Sequence, residues 1–135
     1  MNIEEKIAKS KTTLDEEAKN VLFHGGTEAP FTGELLHEDR KGTFRCKVCN
    51  TALFESDAKF DSGTGWPSFD QALPGAIEYI EDTTLDMSRV EARCATCHAH
   101  LGHVFPDGPS STGKRYCMNS VCLSFEEGDH KEVVE

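Results

Sequence analysis

The sequence predicts a mainly β fold, an antiparallel sandwich or barrel with a helix near its N-terminus and a four-cysteine metal site. Three observations support this class. After Phe31, short β-favouring stretches alternate with Gly, Pro, Asp and Ser residues, which is typical of closely spaced antiparallel strands. Helical periodicity occurs only before Gly26. Two Cys-x2-Cys pairs are present, and such pairs are typical of tetrahedral metal sites.

Length and charge limit the class of protein further. The chain has 135 residues and a formal net charge of -10, so we expect one domain over residues 1–135. An acidic chain without a basic stripe is a poor partner for nucleic acid. We find no run of about 18 apolar residues that could span a membrane and no signal-peptide pattern. We therefore expect a cytoplasmic protein without a membrane partner, and a monomer.

A short amphipathic helix is predicted near the N-terminus. Thr13 and Glu16 have the spacing of a capping box, which typically opens a helix. The apolar residues that follow share one helix face: Leu14, Ala18, Val21 and Leu22. We expect this face to pack on the domain. Residues 1–12 are polar, and we expect them to be flexible.

The rest of the chain is predicted to form strands and loops. Six stretches favour strands: Gly42–Arg45, Ala52–Glu55, Ala76–Ile80, Leu85–Arg93, Leu101–Phe105 and Tyr116–Phe125. Two loops rich in Gly, Ser and Pro, Phe60–Ser68 and Pro106–Gly113, lie beside aromatic residues. Loops on a rigid sheet commonly carry functional residues. The acidic residues 126–135 are expected to be flexible.

The two Cys-x2-Cys pairs, Cys46 with Cys49 and Cys94 with Cys97, predict a structural metal site. Four thiolates suit tetrahedral zinc and leave no open position for a substrate. The pairs are separated by 44 residues, so the ion would join two distant hairpins and add to folding free energy. We expect one Zn²⁺; iron is the nearest alternative, and a redox Cys-x2-Cys motif is less favoured.

Two cysteines remain outside the pairs, Cys117 and Cys122. Cys117 follows Lys114 and Arg115, and a neighbouring cation favours the reactive thiolate. Cys122 lies among apolar residues and is predicted to be a core residue. If the segment is one strand, Cys117 and Asn119 face the same side and could share a pocket.

Histidines and a tryptophan provide further candidate site residues. His100 and His103 follow the second cysteine pair; because four cysteines complete a zinc site, both histidines are available for other chemistry. The only Trp, Trp66, lies between glycine and proline, which favours a presented ring. Such a ring could bind an S-methyl group.

Three motifs together resemble the B-type methionine-R-sulfoxide reductases: Gly65–Phe69, His100–Gly108 and Arg115–Ser120, along with both cysteine pairs in order. The resemblance implies two antiparallel β-sheets with short peripheral helices, a structural zinc, and reduction of methionine-R-sulfoxide in proteins. It also implies thioredoxin as electron donor and a role in protein repair and the oxidative stress response.

The resemblance implies a role for each matching residue around the thiol. Cys117 matches the nucleophile that attacks the sulfoxide sulfur, which becomes a sulfenic acid. The leaving oxygen needs a proton, and we assign His103 as the general acid. His100 and Asn119 match residues that polarise the oxygen.

Two further pairs of residues complete the implied site. Asp107 and Arg115 match a charged pair that orders the site and favours the thiolate. Trp66 matches the ring that receives the substrate's methyl group, and Phe69, from the same motif, is expected to contact the substrate.

The sequence departs from the family pattern at Thr64. Many members have a cysteine there, which forms a disulfide with the sulfenic acid. On an extended strand Cys122 would lie about 16 Å from Cys117, too far for a disulfide without local unfolding. We therefore expect thioredoxin to attack the Cys117 sulfenic acid directly.

Two other functions are consistent with parts of the sequence. A non-catalytic zinc module that binds proteins would explain the cysteine pairs and the acidic surface, but not Trp66, His103 or Cys117. A cysteine hydrolase would use Cys117, His103 and Asn119. Product chemistry separates it from a reductase, which consumes two electrons per sulfoxide.

Overall fold

The computed structural model describes residues 2–82 and 89–128. Within these ranges the chain forms two helices and nine strands: α1 (Ile3–Thr13), α2 (Glu16–His24), β1 (Gly42–Cys46), β2 (Ala52–Glu55), β3 (Lys59–Phe60), β4 (Ser68–Phe69), β5 (Ile77–Asp82), β6 (Arg89–Cys94), β7 (His100–Phe105), β8 (Arg115–Met118) and β9 (Leu123–Glu127). Short 3-10 turns occupy Ser56–Ala58 and Ser120–Cys122.

The strands form two antiparallel sheets, which confirms the predicted fold class. A three-stranded sheet has the order β2-β1-β9, and a six-stranded sheet has the order β3-β4-β8-β7-β6-β5. Every described pairing is antiparallel. The large sheet places β8 between β4 and β7, so residues from three strands meet beside Cys117.

Aromatic packing joins the two sheets. Phe54 of β2 stacks on Phe69 of β4, with ring centroids 4.2 Å apart and an interplanar angle of 12°. Phe44 of β1 meets Phe69 edge-on at 5.0 Å. All three rings are fully buried. Such pairs contribute beyond their buried area, so this cluster fixes how the sheets lie on each other.

The N-terminal helix is present, but it begins differently from the prediction. Asp15, not Thr13, caps α2, and its Oδ1 accepts a hydrogen bond from the Ala18 N–H at 2.8 Å. Thr13 instead ends α1. With α1 and α2 both present, the short peripheral helices that the resemblance implies are confirmed. The apolar face of α2 is buried as expected at Ala18, Val21 and Leu22. Gly25 ends the helix with a left-handed φ of 71°.

The segment Tyr116–Phe125, predicted as one strand, differs most from the prediction. The chain leaves the large sheet after Met118, turns through Ser120–Cys122, and enters the small sheet as β9. The residues on either side of Asn119 therefore do not alternate as they would on one strand. The distance estimate for Cys117 and Cys122, which assumed an extended chain, does not apply.

Smaller differences occur elsewhere. The predicted loop Phe60–Ser68 is bounded by the short strands β3 and β4. At the other end, Glu126 and Glu127 pair with β1 instead of lying in a flexible tail. The remaining part of that tail, residues 129–135, and the start of the predicted strand Leu85–Arg93, residues 85–88, lie outside the described residues.

None of the helices in the described part of the chain has both the length and the apolar content needed to cross a membrane.

Candidate active site and metal centre

The four paired cysteines lie together between the two sheets. Cys46 ends β1 and Cys94 ends β6, so the cluster joins the small sheet to the large one. In each pair the first cysteine's carbonyl accepts a hydrogen bond from the residue after the second cysteine: from Asn50 at 2.9 Å and from His98 at 2.8 Å. Both residues have a φ of 65°. The two halves of the cluster are thus the same tight turn.

The cluster geometry fits a tetrahedral metal ion. All four Sγ atoms, of Cys46, Cys49, Cys94 and Cys97, lie within 4.8 Å of one another. Cys46 and Cys97 Sγ are 3.6 Å apart, and Cys49 and Cys94 Sγ are 3.5 Å apart. Zn–S bonds of about 2.3 Å at tetrahedral angles imply S···S distances of about 3.8 Å. All four cysteines are buried, so the site can hold an ion but offers a substrate no access.

Cys117 is separate from this cluster, and strand alternation sets its orientation. Along β8, Tyr116 and Met118 are buried in the core, whereas Arg115 and Cys117 are half-buried on the opposite face. Side chains alternate across a strand. The Cys117 thiol therefore lies on the outer face of the large sheet.

Register places a histidine beside this thiol. His103 of β7 is directly opposite Cys117, and Ser68 of β4 is opposite Cys117 on the other side. Directly opposed residues project to the same face. Gly102 allows this close pairing, because a Cβ there would lie 2.1 Å from the Cys117 carbonyl oxygen.

Cys117 and His103 open into a small cavity of about 120 Å³. Its volume equals that of about four water molecules in the liquid, enough for the end of one side chain. The lining combines an apolar wall with polar groups: Thr27, Trp66, Arg89, Gly102, His103, Phe105, Cys117 and Asn119. The structure thus brings together four of the predicted site residues, Cys117, His103, Asn119 and Trp66.

The Trp66 ring is held at the cavity by the loop after α2. Its indole Nε1–H donates to the Glu28 carbonyl oxygen at 3.0 Å. The Glu28 N–H in turn donates to Asn119 Oδ1 at 3.0 Å. The Glu28 backbone therefore links two residues of the cavity lining, Trp66 and Asn119.

Asn119 is more strongly engaged with the backbone than the sequence indicated. Its Oδ1 accepts from Glu28 N–H, and its Nδ2 donates to the Leu101 carbonyl oxygen at 3.0 Å. It is buried at the cavity edge. Both partners of its side chain are backbone groups, so Asn119 anchors the chain around the cavity.

Burial and neighbouring groups act in opposite directions on the Cys117 thiol. Burial raises the pKa of Cys117 above its usual value, and the carboxylate of Glu28 adds to this. The positive charge of the Arg115 guanidinium and the polar Thr64 hydroxyl lower the pKa and partly offset the effect. The predicted effect of Arg115 is thus correct in sign, but burial is the larger cause.

Arg115 is fixed from two sides. Its Nε donates to Asp107 Oδ1 at 2.8 Å and an NH2 group donates to Asp107 Oδ2 at 3.2 Å. Its guanidinium also lies 4.4 Å from the centroid of the Phe105 ring. The Asp107 carboxylate accordingly has a lowered pKa because of Arg115. This pair holds the cation beside Cys117.

His100 lies behind the cavity and does not line it. It is 5% exposed, and its Nδ1 is 2.7 Å from Glu91 Oε2. Its ring meets that of His103 edge-on at 5.6 Å. Burial lowers the pKa of His100, partly offset by Glu91. Both histidines line a second cavity of about 680 Å³ next to the first.

Phe69 is not a substrate contact. Its side chain is fully buried between Phe44 and Phe54, because Phe69 and the adjacent Ser68 of β4 point to opposite faces. The prediction for Phe69 was wrong. Cys122, in contrast, is a core residue as predicted: it is fully buried, and its Sγ–H donates to the His100 carbonyl oxygen at 3.2 Å.

Sequence reasoning missed several residues of the site, namely Thr27, Glu28, Arg89 and Phe105. Phe105 could have been found, because it lies two residues after His103 on one strand and so shares its face. Thr27 and Glu28 belong to a loop far from Cys117 in sequence. No local pattern indicates that this loop covers the thiol.

Comparison with known proteins agrees with this geometry. Residues 14–127 match the SelR domain. The chain is 52% identical over 128 residues to a "Peptide methionine sulfoxide reductase MsrB" of Pasteurella multocida, covering 94% of this chain and 98% of that protein. It is 50% identical over 125 residues to the protein of the same name from Escherichia coli O45:K1, covering 92% and 91%.

A solved structure shows a more distant likeness. The Mis18 "Yippee-like" domain superposes with a TM-score of 0.53 at 17% identity, covering 67% of this chain and 100% of that one. At this identity the likeness concerns the fold alone.

Fold and site define a mainly β protein that separates a closed four-cysteine metal site from an accessible thiol in a cavity. The domain match and the two relatives identify it further. The chain belongs to the SelR family, that of the B-type peptide methionine sulfoxide reductases.

Proposed function

We propose that this protein reduces methionine R-sulfoxide in peptides and proteins to methionine, with Cys117 as the nucleophile. The observation that carries the proposal is the direct cross-strand pairing of Cys117 with His103 inside a cavity walled by Trp66. The family relationship supports it, since the relatives carry this activity in their names.

The apolar wall selects the substrate group. Trp66 and Phe105 line one cavity with Cys117, and aromatic rings bind S-methyl groups well. A methyl group held against Trp66 leaves the sulfoxide oxygen on the polar side, near His103. Only one epimer can place the methyl, the oxygen and the sulfur correctly at once, and membership of the B-type family indicates that this epimer is R.

The chemical step transfers the oxygen from substrate to enzyme. The Cys117 thiolate attacks the sulfoxide sulfur and forms an S–S bond, while His103 gives a proton to the oxygen as the bond between that oxygen and the sulfur breaks. The hydroxide so released attacks the Cys117 sulfur, and the S–S bond breaks with its electron pair going to the substrate sulfur. The sulfoxide sulfur gains two electrons and leaves as methionine. Cys117 loses two electrons and becomes a sulfenic acid.

The surrounding residues prepare these two groups. Arg115, held by Asp107, and Thr64 favour the thiolate against the effect of burial. His100 acts as a positioning residue: fixed by Glu91, its ring supports that of His103. Asn119 holds the Glu28 loop and Leu101 in place at the edge of the cavity.

Regeneration requires thiols from another molecule. Thr64 lies against Cys117, where the resemblance would place a resolving cysteine, and it cannot form a disulfide. Cys122 is fully buried with a raised pKa due to burial. Thioredoxin therefore attacks the sulfenic acid directly: two thiols reduce it to the Cys117 thiol, with release of water and a disulfide on the donor.

The four-cysteine cluster would hold one Zn²⁺ as a structural ion. When bound, the ion cross-links the two sheets, and it supplies no open position for chemistry. We further propose that the protein acts as a cytoplasmic monomer in protein repair under oxidative stress. The name of the two relatives, peptide methionine sulfoxide reductase, supports the repair role.

The test compares the two epimers of N-acetylmethionine sulfoxide with dithiothreitol as reductant. We expect methionine from the R epimer only, and none with Cys117→Ser. Thr51→Ser, a variant beside the cysteine cluster, serves as the matched control and should be active. Consumption of neither epimer by metal-loaded protein would contradict the proposal and favour a non-catalytic binding module.

A further inference from the structure

One exposed aromatic ring at the edge of the site has no assigned role. Of the large hydrophobic side chains in residues 2–82 and 89–128, Phe31 is the most exposed, at 68%. An isolated exposed apolar residue needs no explanation. Phe31, however, is also unusual in its backbone and in its position.

Its backbone is held in a conformation that aromatic residues rarely adopt. Phe31 has a φ of 65°, and the other two non-glycine residues with positive φ in the described chain are Asn50 and His98 of the metal turns. Such strain persists only where surrounding contacts impose it, and it commonly marks functional sites. At Asn50 and His98 the strain shapes a metal site.

The contacts that impose this conformation lead to the reaction cavity. The Phe31 N–H donates to the Gly65 carbonyl oxygen at 2.7 Å, and the Trp66 indole bonds to Glu28 at 3.0 Å. The Phe31 loop and the Trp66 loop are thus joined at two points. Thr32 closes the turn by donating from Oγ1 to the Ala29 carbonyl at 2.6 Å.

The ring lies over Gly65 with much of its surface open to solvent. A Cβ on Gly65 would come within 2.9 Å of the Phe31 ring atoms Cδ2 and Cε2, so one part of the ring covers this glycine. Gly65 directly precedes Trp66, which lines the cavity together with Cys117. The Phe31 ring is therefore a fixed apolar surface at the rim of the cavity.

We propose that Phe31 binds apolar side chains that flank the oxidised methionine in a peptide, and so favours peptides with such neighbours. This inference rests on the proposed function. The cavity of about 120 Å³ accommodates one side-chain end, so flanking residues must lie on its rim. Methionine is mostly buried in folded proteins, and its neighbours in an unfolded oxidised chain are commonly apolar as well.

The test uses three substrates with dithiothreitol as reductant, so that no protein donor contacts the rim. The substrates are N-acetylmethionine R-sulfoxide, a heptapeptide with leucines beside methionine R-sulfoxide, and the same peptide with serines there. Phe31→Asn removes the ring and tolerates positive φ, and Phe31→Tyr keeps the ring.

We expect Phe31→Asn to lower kcat/KM about tenfold for the leucine peptide, through KM, since loss of part of a ring's burial is worth about that factor. The serine peptide should lose less, the N-acetyl substrate should change less than twofold, and Phe31→Tyr should restore the peptide rate. Equal losses on all substrates would overturn the inference, because they would indicate displacement of Trp66. Unchanged peptide kinetics would overturn it too.

A binding measurement separates this inference from the proposed function. Trp66 is the only tryptophan, so its fluorescence reports occupancy of the cavity. In a Cys117→Ser background, Phe31→Asn should weaken binding of the leucine sulfoxide peptide about tenfold. If the wild type reduces none of the substrates, the proposed function fails. The titration then still decides whether Phe31 binds peptide: equal affinities would overturn its role.

Discussion

Four of the six cysteines are buried at the ends of β1 and β6, whereas Cys117 is half-buried in β8 beside a cavity. The Sγ atoms of the cluster cysteines lie within 4.8 Å of one another, an arrangement that could hold a metal ion. Cys117 faces a histidine, a guanidinium and an aromatic wall. Different neighbours thus give the same side chain two environments, which fit the structural role proposed for the cluster and the chemical role proposed for Cys117.

The largest expected effects come from removing one cysteine at each site. Cys94→Ser should abolish tight metal binding and lower the free energy of unfolding by several kcal/mol, since structural-metal binding is folding free energy. Cys117→Ser should lower turnover about 10⁴-fold or more with metal content and melting temperature nearly unchanged. Metal content, thermal unfolding and the rate of methionine release are measured for both variants. Loss of the metal in Cys117→Ser would contradict the view that Cys117 is independent of the metal site.

His103 tests whether the polar side of the cavity supplies a proton. His103→Gln should reduce kcat by about 10² to 10⁴, the usual contribution of a general acid. His37→Gln, a change at an exposed histidine outside the cavity, is the control and should be fully active. An effect below threefold for His103→Gln would show that another group protonates the oxygen.

Arg115 tests the electrostatic balance at the thiol. Because the guanidinium lowers the pKa of Cys117, Arg115→Gln should raise it and shift the pH profile of Cys117 alkylation by iodoacetamide to higher pH. The rate at pH 7 should fall severalfold. Arg40→Gln, which breaks an exposed pair with Glu38, is the matched control. A profile unchanged by Arg115→Gln would contradict the assigned effect.

Glu28 gives the smallest effect, and it acts on stability. Burial raises the pKa of Glu28 above 4.5, so the folded state binds its proton more tightly than the unfolded state does. The protein should therefore lose stability as pH rises through and above 4.5. Glu28→Gln cannot ionise and should flatten this slope.

Urea unfolding at pH 4 and pH 7 measures the Glu28 difference. The glutamine oxygen can still accept from the Val121 N–H, as Glu28 Oε1 does at 3.0 Å, so the loop should stay in place. If Glu28→Gln loses more stability than the wild type between pH 4 and pH 7, the effect assigned to Glu28 is contradicted.

The metal site could be predicted from the sequence because its ligands form two local turns. Each Cys-x2-Cys pair, Cys46 with Cys49 and Cys94 with Cys97, forms one tight turn, so the spacing alone predicts the structure of each half of the cluster. The strand Ala52–Glu55 was likewise predicted with its observed bounds. In both cases, local chemistry determines the result.

The reaction site could not be derived from local patterns, because strand register and a distant loop assemble it. The resemblance supplied Cys117, His103 and Trp66, which the structure places together. It misled at Phe69, whose alternation with Ser68 turns it into the core. The turn at Ser120–Cys122 could not be predicted, because Val121, Cys122 and Leu123 also suit a strand.

Local sequence patterns also failed to predict the start of the chain correctly. Ile3 and Ile7 of α1 pack against the core but are only partly buried, so their periodicity is weak beside the many charged residues around them. Asp15 was overlooked as a cap because Thr13 offered a more familiar spacing with Glu16. Whether residues 1–12 are flexible stays a prediction.

The most direct test of the account follows where the oxygen goes in a single turnover. Metal-loaded protein is given one equivalent of methionine R-sulfoxide without reductant, and peptides are analysed by mass spectrometry. We predict a gain of about 16 Da at Cys117, trappable as a sulfenic acid, with the four cluster cysteines unmodified. A Cys117–Cys122 disulfide, or oxidation within the cluster, would contradict the claim that Cys117 alone reacts while the cluster cysteines only hold the metal.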